Sequence, residues 1–330
     1  MKRALSKASP VLKVLFGAGI VAWMASSGKL NLAQVGRSLS QWPVMLAILG
    51  LGYSQVGLTA WRWKLLLEAQ EIWLPYGRAW GLTMVGMLFN VVIPGAVGGD
   101  LIKGYYITRA APGRKSHAAT TILMDRVVGL IGLLFLGAVM AIANLNQTLR
   151  SAATRGLGSM TVGGFVGGLV ILYAAVFAGG RLAEWHFLPG VLRNIFRALH
   201  EYRRKARVLP VALALSVVNQ GLTCGMYYLA LLATGVTDMP MSQFFLVVPL
   251  GLVTSAIPIS PGGIGVGQAA FFALFQIVAP KYAAAGTNAL TVFQVIFILL
   301  CVSGLYWYLS YKHVDLEAAE KEGSSEKLVG

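Results

Sequence analysis

Four ionisable side chains fall inside apolar stretches of the sequence: Asp100, Lys103, Asp125 and Arg126. Charge within hydrocarbon is costly, so such groups either neutralise one another or meet a polar substrate. Asp100 and Lys103 stand i, i+3 on a helix and share a face, whereas Asp125 and Arg126 are neighbours and point apart. Arg126 is therefore placed to pair with Asp100 or with a ligand anion. The four charges cancel as a set, which is what a buried ion network requires. Asp100 follows Gly98-Gly99, and a second glycine turn, Gly262-Gly263-Ile264-Gly265, precedes Gln268. Such turns let backbone approach closely and leave N–H groups of the following half-helix to bind an anion, assisted by the helix dipole. A turn at membrane depth needs protein or a water-filled cavity to solvate its backbone. Two converging turns thus predict a polar chamber able to hold phosphate. Asn90 and Gln268 flank the turns and are expected either to line that chamber or to satisfy a neighbouring helix.

The elements carrying these residues must be membrane helices. Of the 330 residues 57% are hydrophobic and 12% charged, against about 25% charged in an ordinary soluble domain. A water-soluble protein is excluded. Lys and Arg exceed Asp and Glu by fifteen, but in so apolar a chain the excess reads as loop topology rather than nucleic-acid binding. Cys224 and Cys301 lie in apolar runs, and His117, His186, His200 and His313 are scattered. No metal, cofactor or disulfide framework is expected. No G-x-x-x-x-G-K-[ST] run occurs, so P-loop ATP hydrolysis is not expected either.

Apolar runs long enough to cross about 30 Å of hydrocarbon occupy residues 11–27, 42–61, 118–143, 160–178, 208–234 and 287–311. Two more, 79–101 and 243–279, are broken by Gly and Pro and cannot be continuous helices. Twenty-two of the twenty-seven Lys and Arg residues, counting Arg126 at the start of its span, fall on one side when the first broken stretch dips in and returns. That count places both termini in the cytoplasm. For the second broken stretch, charge leaves a dip and a double crossing equivalent. Pro94 and Pro261 are 167 residues apart, and the second and last spans of each half are offset by nearly as much. This is the pattern of an inverted repeat, where interrupted helices at matching positions point to a transporter's central site. The halves would be 1–155 and 156–311, with a disordered cytoplasmic tail at 312–330. A basic start before residues 11–24 also resembles a signal peptide, but an uncleaved anchor is expected because it pairs with span 160–178.

Residues 189–207 alternate Leu192, Ile195, Phe196 and Leu199 with Arg193, Arg197, Arg203 and Arg204 at helical spacing, predicting an amphipathic helix on the anionic surface. Gly163, Gly164, Gly167 and Gly168 read as close helix packing. Trp42, Trp61, Trp63, Trp73 and Trp80 read as an interfacial belt.

Three motifs in order carry a resemblance: Asn90 to Asp100, Leu123-Met124-Asp125-Arg126, and Pro261 to Gln268, with Trp61-Arg62-Trp63-Lys64 supporting them. Together they resemble the flippase-like membrane family related to the transmembrane half of lysylphosphatidylglycerol synthases. The resemblance implies a polytopic inner-membrane protein that moves an anionic, aminoacylated or polyprenyl-phosphate-linked lipid between leaflets. It carries over Asp100, Asp125, Arg126 and the glycine turns as site positions. Where many relatives have Glu after the second turn, this chain has Gln268, which leaves Asp100 and Asp125 as the proton-carrying candidates. Nineteen residues follow Tyr311, too few for the aminoacyl-transfer domain of the bifunctional synthases, so the chain is not expected to make aminoacyl-lipid.

The resulting expectation is an all-α polytopic membrane protein of six spanning helices and two re-entrant or broken hairpins. It is expected to act as a lipid flippase and not as an enzyme. Its substrate-binding residues would be Arg62, Asn90, Gly98, Gly99, Asp100, Lys103, Asp125, Arg126, Gly262, Gly263, Gly265 and Gln268, with Arg62 guiding headgroups in near the cytoplasmic face. Membrane lipids bearing phosphate are the expected partners, with no nucleic acid. A membrane-embedded transferase using Asp100 or Asp125 as base, and an accessory subunit of a lipid-modifying enzyme, are the alternatives.

Overall fold

A computed structural model describes residues 15, 18–92, 98–185, 189–255 and 263–311. Helix α1 covers 18–26, followed by α2 (Leu32–Leu39), α3 (Trp42–Ala69), α4 (Tyr76–Val92), α5 (Gly98–Ala110), α6 (Lys115–Ala143), α7 (Leu145–Thr148) and α8 (Ala152–Phe177). The second part holds α9 (Gly179–Leu182), α10 (Gly190–Glu201), α11 (Val208–Ala233), α12 (Met241–Ser255), α13 (Val266–Val278) and α14 (Ala283–Val302). No strand occurs among the described residues. Five helical segments are long and apolar enough to cross a bilayer: α3, α6, α8, α11 and the stretch Pro280–Tyr311 that contains α14. Of the expected span 11–27, residues 15 and 18–27 are described and 18–26 form α1, while residues 11–14, 16 and 17 lie outside the described residues, as do the turn 93–97, residues 256–262 with Gly262, His186 and the tail after Tyr311.

Local chemistry sets the helix starts. Pro43 sits in the first turn of α3, where its missing N–H costs nothing. Asn31 caps α2 by accepting from Gln34 N–H at 2.9 Å, and Ser151 with Thr154 forms a capping box on α8. Inside the bundle, α3 packs on α11 and α6 on both α8 and α11. Gly164 and Gly168 admit Leu134 and Ile131 of α6 to the surface of α8, while Gly163 and Gly167 meet nothing. Half of the glycine pattern therefore serves packing. Val166, Val170 and Ile171 are exposed on the same helix, as suits a face that meets lipid chains.

The two broken segments are hairpins that return to their own side. Before α4, Gln70 O accepts from Arg114 Nη1 at 3.0 Å, so both ends of α4–α5 lie at one end of the bundle. At the other end, Lys281 Nζ donates to Asp238 Oδ2 at 2.5 Å, joining the residue just before α12 to the one just after α13. The hairpin α12–α13 therefore also begins and ends at one end of the bundle. The loops containing Glu71, Arg114 and Arg204 line one cleft, so these three segments meet at the same end of the bundle. The helix contacts fall into two similar sets. As α4 packs on α5 and α5 on α6, so α12 packs on α13 and α13 on α14; as α6 meets α11 and α12, so α14 meets α3 and α4.

Two short amphipathic helices flank the bundle. Helix α10 falls where its spacing predicts, held by Gln70 Nε2 donating to Ala198 O at 2.9 Å. Its counterpart α2 is equally one-sided and is tied to the opposite end of the bundle: Gln34 Nε2 donates to Thr234 O at 2.8 Å and Asn31 N–H to Asn288 Oδ1 at 2.9 Å.

Candidate lipid headgroup cavity

The charged residues converge from three helices onto one cavity of about 530 Å³. Helix α3 brings Arg62, α5 brings Asp100 and Lys103, and α6 brings Asp125 and Arg126. Asp125 is the eleventh residue of α6, roughly 15 Å along the helix at 1.5 Å per residue, so the cluster lies well inside the bundle. Its floor is the pair Arg62 Nε to Asp125 Oδ1 at 2.8 Å, with both side chains under a tenth exposed. Arg62 Nη1 also donates to Ser216 Oγ at 2.7 Å. At the mouth, Arg126 grips Asp100 through two bonds of 2.8 and 3.0 Å, the fork geometry that makes arginine–carboxylate pairs strong. Lys103 stands between, with Nζ 4.0 Å from the centre of the Trp63 ring, a cation–π contact.

Two expectations change here. Arg62 is not an entry guide near the surface: α3 continues to Ala69, eight residues past the hydropathy boundary, and carries Arg62 inward to a buried pair. Trp63 is fully buried rather than interfacial, its Nε1–H donating to Thr121 Oγ1 at 3.1 Å; Trp42, Trp61 and Trp73 are exposed.

The glycine turns behave differently from open anion cradles. Gly99 N–H donates to Asn90 Oδ1 at 2.9 Å, and Gly265 N–H to Gln268 Oε1 at 2.7 Å. Each hairpin thus caps the start of its own second arm with an amide side chain. Asn90 and Gly99 line the cavity while Gly98 is buried at the start of α5. Gly263, Gly265 and Gln268 are not among its lining residues; Gln268 is instead 1% exposed and donates to Gln294 Oε1 at 2.6 Å. From the second half, Gln220, Val253 and Phe297 reach the wall.

A polar seam between α3 and α11 leads to the cavity floor and escapes a search for charges alone. Gln55 Nε2 donates to Thr223 Oγ1 at 2.8 Å, Thr59 Oγ1 to Asn219 Oδ1 at 3.3 Å, and Arg62 to Ser216. The signal is present in sequence as polar residues at 55, 59, 62 and at 216, 219, 223, one face of each of two apolar helices. On its other flank α3 borders an open apolar groove of about 860 Å³ walled by Tyr53, Trp61, Tyr76 and Trp80. A polar chamber and an apolar groove divided by one helix match the two parts of an amphiphile.

Over 273 residues, 74% of this chain and 78% of the relative, the sequence is 25% identical to a protein of Methanothermobacter thermautotrophicus described as a UPF0104 membrane protein. Residues 11–304 match the family model of the lysylphosphatidylglycerol synthase transmembrane region. Spanning nearly the whole bundle and every charged residue of the cavity, that match places the chain in the lysylphosphatidylglycerol synthase transmembrane-region family.

Proposed function

We propose that the chain is a lipid transporter of the inner membrane that moves phosphate-bearing lipids between leaflets, with both termini cytoplasmic. The observation carrying this reading is the buried, charge-lined cavity beside an apolar groove, within a bundle whose helix contacts fall into two similar sets. A headgroup enters laterally past Arg126 at the mouth, its phosphate reaches Lys103 farther in, and its chains remain in the groove along α3. Phosphate binding falls to these side chains and not to the glycine-turn N–H groups, because Asn90 and Gln268 already occupy Gly99 and Gly265. The matched hairpins and the pair α2 and α10 support two inverted halves that rock about the cavity, the alternating-access design of repeat transporters.

A transferase reading needs a carboxylate free to act as base, but Asp100 and Asp125 each accept from a guanidinium. That favours transport. The driving force would be an ion gradient, the lipid gradient or a partner protein. The test is a leaflet-specific assay of phosphatidylglycerol in proteoliposomes. Arg126→Ala is expected to insert normally and to lose translocation by about tenfold or more, the scale of one charge-assisted contact. Unaltered transport by that variant would refute the assignment.

A further inference from the structure

Resting on the headgroup site proposed above, the charge inventory of the cavity narrows what that site accepts. Among the described lining residues the cations are Arg62, Lys103 and Arg126 and the anions Asp100 and Asp125. The adjoining stretches 93–97 and 256–262 contain no ionisable residue. Each carboxylate is ion-paired to a guanidinium, whereas Lys103 faces an aromatic ring and, among the described residues, has no carboxylate within ion-pair distance. One formal positive charge is left over, and no carboxylate remains to receive a ligand ammonium.

We infer that the cavity selects phosphodiester headgroups lacking an amine, with Lys103 as the specificity-determining residue, and rejects headgroups carrying an aminoacyl ester. A phosphate can replace the missing counter-charge of Lys103 while Arg126 keeps one face toward the mouth. An ammonium entering the same space meets the surplus charge of Lys103, and in a water-poor site that repulsion is weakly screened. To bind it the protein would have to break an arginine–carboxylate pair and strand a buried guanidinium. Breaking Arg62 from Asp125 is the worse option, since both are buried; breaking Arg126 from Asp100 forfeits a two-bond contact.

The test measures binding of phosphatidylglycerol and of lysylphosphatidylglycerol to the purified full chain in nanodiscs, expressed as the ratio of the two affinities. A ratio on one preparation is insensitive to the fraction of protein folded. The wild type should prefer phosphatidylglycerol by about tenfold or more, one charge interaction's worth. Lys103→Gln should bring the ratio close to unity. Asp100→Asn, at the mouth, should raise it by adding a second surplus charge, and serves if the buried variant fails to fold. Equal or tighter binding of the lysylated lipid by the wild type would overturn the inference, as would a ratio untouched by both variants. Selective binding without leaflet exchange in proteoliposomes would instead break the transporter reading and leave this one standing.

Discussion

The two re-entrant hairpins share a plan and differ in filling. In α4–α5 the amide of Asn90 caps Gly99, and in α12–α13 the amide of Gln268 caps Gly265. Both arms approach closely: a Cβ on Gly99 would lie 1.9 Å from Gly86 O. Around the first hairpin the space holds Asp100, Lys103, Asp125 and Arg126 and stays open. Around the second it is packed with rings. Phe271 and Phe275 are fully buried, so close against Gly251 and Gly286 that an added Cβ would stand 2.5 and 2.4 Å from them, and Tyr227 donates its hydroxyl to Gly286 O at 2.6 Å. The same backbone device thus borders an open, charge-lined cavity at one hairpin and an aromatic scaffold at the other.

Substitutions at the two hairpins should separate these roles. Asp125→Ala strands Arg62 in the floor and is expected to cost about 3–5 kcal/mol, read as a lower midpoint of thermal unfolding in detergent together with lost headgroup binding. Phe271→Ala should cost nearly as much, about 3–5 kcal/mol for an emptied aromatic site, but leave the phosphatidylglycerol preference of the surviving folded protein unchanged. If that preference vanished, the second hairpin would be part of the site after all. Gly286→Ala pushes on Phe275 and should cost about 1–3 kcal/mol by overpacking, again with binding intact.

Much of this was legible in the sequence, and the gaps have physical causes. Long apolar runs announce membrane helices because hydrocarbon tolerates little else, and the rarity of charge within them singled out Asp100, Lys103, Asp125 and Arg126. Arg62 misled because hydropathy falls at the Trp61-Arg62-Trp63-Lys64 stretch, which looks like an interface until Asp125 is known to sit opposite. Pairing is a tertiary fact. Helix α2 escaped because eight residues between two spans read as a loop, although Val35 and Ser38 turn inward while Leu32 faces out. Gln268 looked like a chamber residue from its distance to the turn, yet its partners Gln294 and Thr291 come from α14, which no local pattern reveals.

The smallest predicted effect concerns the exposed latch of the second hairpin. The hydrogen bond from Lys281 holds the Asp238 carboxyl below its ordinary value. Its stabilisation is present above the ordinary aspartate value of about 3.9 and is lost as pH falls through the lowered one. Asp238→Asn should therefore flatten the acid limb of the unfolding profile slightly, with no change in headgroup binding near neutrality.

The central claim is that lipid headgroups bind at the first hairpin and not at the second. A photocrosslinking residue placed at Leu130, on the cavity wall, and separately at Phe272 of α13 tests it with radiolabelled phosphatidylglycerol. Labelling at position 130 that unlabelled phosphatidylglycerol displaces, with only unsaturable labelling at 272, is the predicted result. Saturable labelling confined to position 272 would contradict the account.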